Sequence, residues 1–75
     1  MEMYRDIDGD SGVARFESGD EHIRVQFKDG SVYLYTYGSA GSDHIETMKS
    51  LATAGDGLNA YINRYVKKLY AQKEQ

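Results

Sequence analysis

Tyr33, Tyr35 and Tyr37 recur at every second position of one short segment, and Arg15, His22 and Arg24 fall where neighbouring strands would set them beside those rings. Tyrosine faces stack on nucleobases and guanidiniums hold phosphates, so a sheet face carrying both has the chemistry of an RNA or single-strand surface. The same face would suit a protein partner, or burial against a second copy of the chain. The plainer account is that strand tyrosines suit a half-exposed pleated surface and that the arginines are solvated. Two guanidiniums brought side by side repel, and an anion or an adjacent ring offsets that repulsion. On this reasoning Arg24→Ala and Tyr35→Ala are expected to weaken binding while leaving the fold intact.

Two other groups of residues invite chemical readings. Asp6, Asp8 and Asp10 alternate, Val13 follows, and Glu17 closes a segment whose spacing approaches that of a calcium loop, in which such oxygens ligate a hard cation. Ser11 stands where the loop needs glycine, and no helix fits into the five residues before Asp6, so an acidic N-terminus without a metal is expected. His22 and His44 lie on different elements and have no nucleophile or carboxylate in triad order, which argues against an enzyme. His22 is expected to form a cross-strand polar pair with Glu17. No phosphate loop or dinucleotide glycine fingerprint is present, and no cofactor is expected.

The elements that must position these side chains follow from size and periodicity. A chain of 75 residues with 40% apolar and 28% charged residues can build one core, and without cysteines it depends on packing or self-association for stability. The net charge of −3 is a mild argument against nucleic-acid binding by overall electrostatics, though local basic patches remain open. No apolar run approaches a membrane span, and the N-terminus lacks the order of a signal peptide, so a cytoplasmic location away from membranes is expected.

Residues 1–12 read as a flexible acidic lead-in, and residues 73–75 as a tail. Between them, Val13–Ser18, His22–Phe27 and Val32–Tyr37 read as strands, the second from its strict alternation. Gly19 can supply positive φ to the first turn, and Asp29-Gly30 suits a two-residue type I′ loop. That loop would set Phe27 opposite Val32, Val25 opposite Leu34 and Ile23 opposite Thr36, with Phe16 and Ala14 on the same apolar face. The outer face then carries the rows Val13, Gln26, Tyr33; Arg15, Arg24, Tyr35; and Glu17, His22, Tyr37.

Helical spacing takes over after Gly41. Asp43 and Glu46 resemble a capping box ahead of Ile45, Met48, Leu51 and Ala52, and Gly55-Asp56-Gly57 ends that helix. Leu58, Tyr61, Ile62, Tyr65, Val66, Leu69 and Tyr70 form an amphipathic stripe, with Arg64, Lys67 and Lys68 on its solvated side. Those cations can still add to a nucleic-acid footprint. The expected architecture is α+β: a three-stranded antiparallel meander followed by two helices packed on one face of the sheet, over residues 13–72.

The run Ile23-x-Val25-x-Phe27, the glycine turn, Val32-Tyr33-Leu34-Tyr35 and then Tyr61-Ile62-Asn63 with Val66 and Tyr70 resembles the KTSC domain family. The similarity extends over residues 22–70, and the chain departs from the pattern in having Gly38–Ser42 where a proline-bearing link is expected. Members of that family occur at the C-terminal end of some lysyl-tRNA synthetases and as small stand-alone bacterial or phage proteins. The resemblance implies a non-catalytic accessory module near translation or nucleic acid. The functional expectation is therefore a bacterial or phage binding module using Arg15, His22, Arg24, Tyr33, Tyr35 and Tyr37 to contact RNA or a protein, with a structural homodimer as the alternative.

Overall fold

Three alternating segments and two very short ones build a single antiparallel sheet. In the computed structural model, which describes residues 1–7, 9 and 11–75, the strands are β1 (Glu2–Met3), β2 (Val13–Ser18), β3 (His22–Phe27), β4 (Val32–Thr36) and β5 (Gln72–Lys73). They lie in chain order across the sheet, and every neighbouring pair is antiparallel. Helices α1 (Tyr37–Ala40), α2 (Ser42–Ala54) and α3 (Leu58–Tyr61) follow β4, and α3 runs on into a π-helical turn over Ile62–Val66. The α+β architecture, with its central meander and helices packed on the sheet, is the one the sequence predicts. The two edge strands are additions to it.

The turn between β3 and β4 differs from expectation by one residue, and that residue inverts a strand. Phe27 N donates to Ser31 O at 2.8 Å and Gly30 N to Phe27 O at 2.9 Å, so the loop is the three residues Lys28, Asp29 and Gly30. Only Gly30, at φ +94°, takes the left-handed conformation, as in a type I turn closed by a glycine bulge. Asp29 avoids the positive φ that a type I′ turn would demand of it. Its carboxylate instead accepts from Ser31 N and Ser31 Oγ, at 2.9 and 2.6 Å. The resulting partners are Ile23 with Tyr35, Val25 with Tyr33, Arg24 with Leu34 and His22 with Thr36. Because side chains alternate along a strand, this shift turns Tyr33 and Tyr35 to the helix side and Val32 and Leu34 to the outer side.

The other β2 and β3 expectations change less. Phe16 shares the core face with Val25 as predicted in parity, although its partner is Val25 and not Ile23. An irregularity between Val13 and Arg15 then brings Val13 opposite Phe27 and into the core, where it is fully buried. The first hairpin does not use Gly19 for positive φ. The His22 ring lies close over Gly19, and a side chain there would push that ring aside.

The core joins Phe16, Ile23, Val25 and Tyr35 of the sheet to Ile45, Met48 and Ala52 of α2 and to Leu58, Ile62 and Val66. Helix α2 begins after Gly41 without a side-chain cap, so the Asp43 and Glu46 box is not formed. A reciprocal capping box is present one turn earlier, between Thr36 and Ser39 at the start of α1. Gly55, at φ +77°, closes α2 as expected, and its N–H reaches Leu51 O and Ala52 O.

Both termini are built into the domain. Tyr4 is 4% exposed and belongs to the core cluster, and its hydroxyl accepts from Leu58 N at 3.2 Å. Arg5 donates to Thr53 O and Ala54 O, two of the carbonyls that the end of α2 leaves without helical partners. Residues 2–5 are thus packed where a flexible lead-in was expected. The expected continuation of the last helix through Tyr70 is also corrected. Helical structure stops at Val66, and the chain turns back to lay β5 against β4.

Candidate binding cleft

The inverted strand places five of the six residues singled out by the sequence on two different sides of the sheet, and the sixth, Tyr37, lies beyond it on α1. On the outer side, Arg24 sits between Glu74, at 2.9 Å from its Nε, and Glu17, at 3.2 Å from its Nη1. Glu74 first, then Glu17, holds the guanidinium in its charged form. Arg15 faces Gln26 and not Arg24, so the expected pair of repelling guanidiniums is absent. His22 makes its side-chain contact with Arg24, at 3.4 Å, and Glu17 pairs with Arg24, not with His22. This face presents Glu17, Arg24, Leu34 and Gln72 in one row, with no tyrosine ring to stack on anything.

The tyrosines serve elsewhere. Tyr37 opens α1, and its hydroxyl donates to Glu46 Oε2, which Lys49 also contacts at 3.0 Å. That hydrogen bond to a carboxylate, followed by burial, pushes the Tyr37 phenol up to about 12. Tyr35 is 1% exposed beneath the helical layer, and burial is the main cause that pushes it up to about 12 as well. In both cases the fold favours the neutral phenol, so this stabilisation is complete below the ordinary tyrosine pKa near 10 and is lost as pH rises through 12. Melts between pH 9 and 12 should show Tm falling with pH, and less steeply in Tyr35→Phe. Equal slopes for the two proteins would contradict the assignment.

Tyr33, Tyr35, Phe27 and Tyr70 come together around a cleft of about 520 Å³ between the β3–β4 hairpin and the segment after the π turn. Phe27 meets Tyr33 edge-on at 5.7 Å between ring centroids, and Tyr70 lies 4.9 Å from Tyr33 and 6.4 Å from Tyr35. Asn63 of the π turn and Lys67 and Lys68 just beyond it complete the opposite wall, with Asp29 and Ser31 on the hairpin side. The Asp29 carboxylate is engaged by Ser31, which lowers its pKa. Lys67 and Lys68 have no carboxylate within ion-pair distance among the described residues. Lys73 adds a third cation, 5.9 Å above the Tyr33 ring. Tyr35 lines this space, and its hydroxyl has no hydrogen-bond partner among the described residues.

A stripe of 3.6 residues per turn puts Lys67 and Lys68 on a solvated face, and in the structure both are exposed and also border the cleft. The π turn over Ile62–Val66 ends the helical run, and the two lysines that follow it stand beside the cleft. For the β3–β4 loop, the signal that could have revealed three residues was Ser31, placed to pair with Asp29 around Gly30.

The remaining candidates do not assemble. Asp6 is occupied by Lys28 and Ser11, at 3.0 and 3.1 Å, with Lys28 the main cause of its lowered pKa, and Glu17 lies on β2. Asp8 and Asp10 lie outside the described residues. Among the described residues no cluster of three or more His, Cys, Asp or Glu could hold a metal. His44 meets the Tyr61 hydroxyl at 2.6 Å, away from His22. Among the described residues no helix is long and apolar enough to cross a membrane. Compared with known proteins, the chain matches no family model, no curated protein and no solved structure.

Proposed function

We propose that this protein is a non-catalytic, cytoplasmic binding module, and that its site is the Tyr33–Tyr35–Tyr70 cleft. The ligand is an unpaired nucleobase with its phosphate, as single-stranded RNA presents it. What supports this is the union of aromatic rings and free ammonium groups in one concave space: Phe27, Tyr33 and Tyr35 with Lys67 and Lys68, with the Tyr70 ring lying across it. Aromatic faces take bases without regard to sequence, while lysines neutralise the phosphate that follows. On a chain of net charge −3 such a cationic rim is a local feature, so binding is confined to this cleft. The KTSC resemblance, with its implied accessory role near translation, belongs to the same proposal.

The test is an NMR titration of the full chain with hexauridylate and, in parallel, hexathymidylate. Shifts at Tyr33, Tyr35 and Tyr70 are expected, and the stronger arm identifies RNA or DNA as the source of the base. Tyr33→Ala should weaken binding by roughly 5- to 150-fold, the equivalent of about 1–3 kcal/mol of stacking. Replacing Lys67 and Lys68 together by glutamine should flatten the logarithmic salt dependence by about 0.7 for each phosphate that is no longer neutralised. Silence of the cleft resonances with both oligonucleotides at millimolar concentration overturns the proposal. Concentration-dependent shifts of the cleft without oligonucleotide, with a rising mass in sedimentation, would replace it by self-association.

A further inference from the structure

Beyond the last helical turn the Tyr70 ring meets Tyr33 at 4.9 Å, tilted by 51°, and Tyr35 edge-on at 6.4 Å. Helical structure ends at Val66, and Leu69 and Tyr70 are 41% and 38% exposed. From Leu69 to Gln75 every residue is exposed, yet the segment crosses the open edge of β4. Its hold consists of a few links. Ala71 N donates to Leu34 O at 2.7 Å, Glu74 N to Val32 O at 2.7 Å, and Val32 N to Gln75 O at 3.0 Å. Glu74 adds the ion pair to Arg24, and Lys73 lies above the Tyr33 ring. A strand of two residues at an edge, without buried side chains, belongs to the least stable part of a domain.

The sequence also offers this segment a second conformation. Leu69 and Tyr70 continue the spacing of Leu58, Ile62 and Val66, so the chain after the π turn has the pattern of a longer helix. In that form Tyr70 leaves the cleft and the rings of Tyr33 and Tyr35 are uncovered.

We infer that the Tyr70 ring occupies the ring subsite of the cleft, and that a planar anionic ligand takes its place on Tyr33 and thereby releases residues 69–75 from β4. This deepens the nucleobase proposal and rests on it. A base in the place of the Tyr70 ring meets Tyr33 and Tyr35, and Lys67 and Lys68 line the same cleft to take its phosphate. Ligand entry and strap release are then one exchange of rings. The strap lowers apparent affinity by the fraction of molecules in which it is closed.

The experiment is amide hydrogen exchange on the full chain, with and without hexauridylate, read at Ala71 and Glu74. Exchange at both amides should rise when the cleft is occupied, while amides of β3 keep their protection. Tyr70→Ala should bind hexauridylate roughly 2- to 10-fold more tightly, because the competing ring is gone. Glu74→Gln, which loosens the strap outside the cleft, should shift affinity in the same direction. Cleft shifts with unchanged or greater protection at Ala71 and Glu74, or weaker binding by Tyr70→Ala, would make Tyr70 part of the ligand's seat and overturn the exchange. Absence of any cleft shift would overturn the nucleobase proposal itself, which is a separate result.

Discussion

Tyr35→Ala is expected to cost about 3–5 kcal/mol of folding stability, the range for emptying a buried aromatic site. A domain of this length has only about 4–11 kcal/mol in total, at roughly 0.05–0.15 kcal/mol per residue. The variant should therefore be largely destabilised, with Tm lower by about 12 °C or more. Its ring lies against Ile23 across β3 and within the core cluster that also holds Ile45, Met48 and Val66, so truncation leaves a void that few neighbours can fill. Tyr35→Phe keeps the ring and removes a hydroxyl without a hydrogen-bond partner among the described residues, so it should stay within about 1 kcal/mol of the parent. A register with Tyr35 on the outer face predicts instead that Tyr35→Ala spares the fold. A wild-type melting curve for Tyr35→Ala would return the ring to that face and refute the three-residue loop.

Tyr4→Ala is expected to cost about 3–4 kcal/mol, again from loss of a buried ring. A mobile N-terminal segment would show almost nothing, within about 0.5 kcal/mol, so the two descriptions of residues 1–7 differ by a wide margin. The structural reason for the larger value is that Tyr4 closes the end of the core where α2 stops and α3 begins. Its hydroxyl accepts from Leu58 N, one of the first-turn N–H groups for which the helix has no carbonyl. Tyr4→Phe leaves that donor without this acceptor and should cost about 1 kcal/mol. Chemical denaturation of the three proteins checks the order parent, Tyr4→Phe, Tyr4→Ala; identical midpoints would show that residues 1–7 are not part of the cooperative unit.

Local pattern was enough for much of the architecture. Alternation in His22–Phe27, a glycine-bearing turn on each side and helical spacing from Ile45 to Val66 name the elements and their order, because each signal is contained in a few adjacent residues. The apolar faces of β3 and α2 were equally plain, since Ile23 and Val25, and Ile45, Met48 and Ala52, have no other way to be buried. The candidate site was not legible in this way. Its rings were visible as residue types, but which side they face depended on whether Asp29 and Gly30 are the whole loop or the last two of three residues.

Residue order was enough for an α+β meander with helices on one side, and for the residue types that any binding surface must use. The tertiary structure alone decided that Tyr33 and Tyr35 look toward the helices and that Lys67 and Lys68 join them. It also paired Glu2–Met3 and Gln72–Lys73 with the sheet. Strand parity explains the tyrosines: one residue more in a turn costs little locally yet reverses the direction of every side chain in the strand that follows. Two-residue strands carry no periodicity of their own, and they exist because β2 and β4 have edges to be paired.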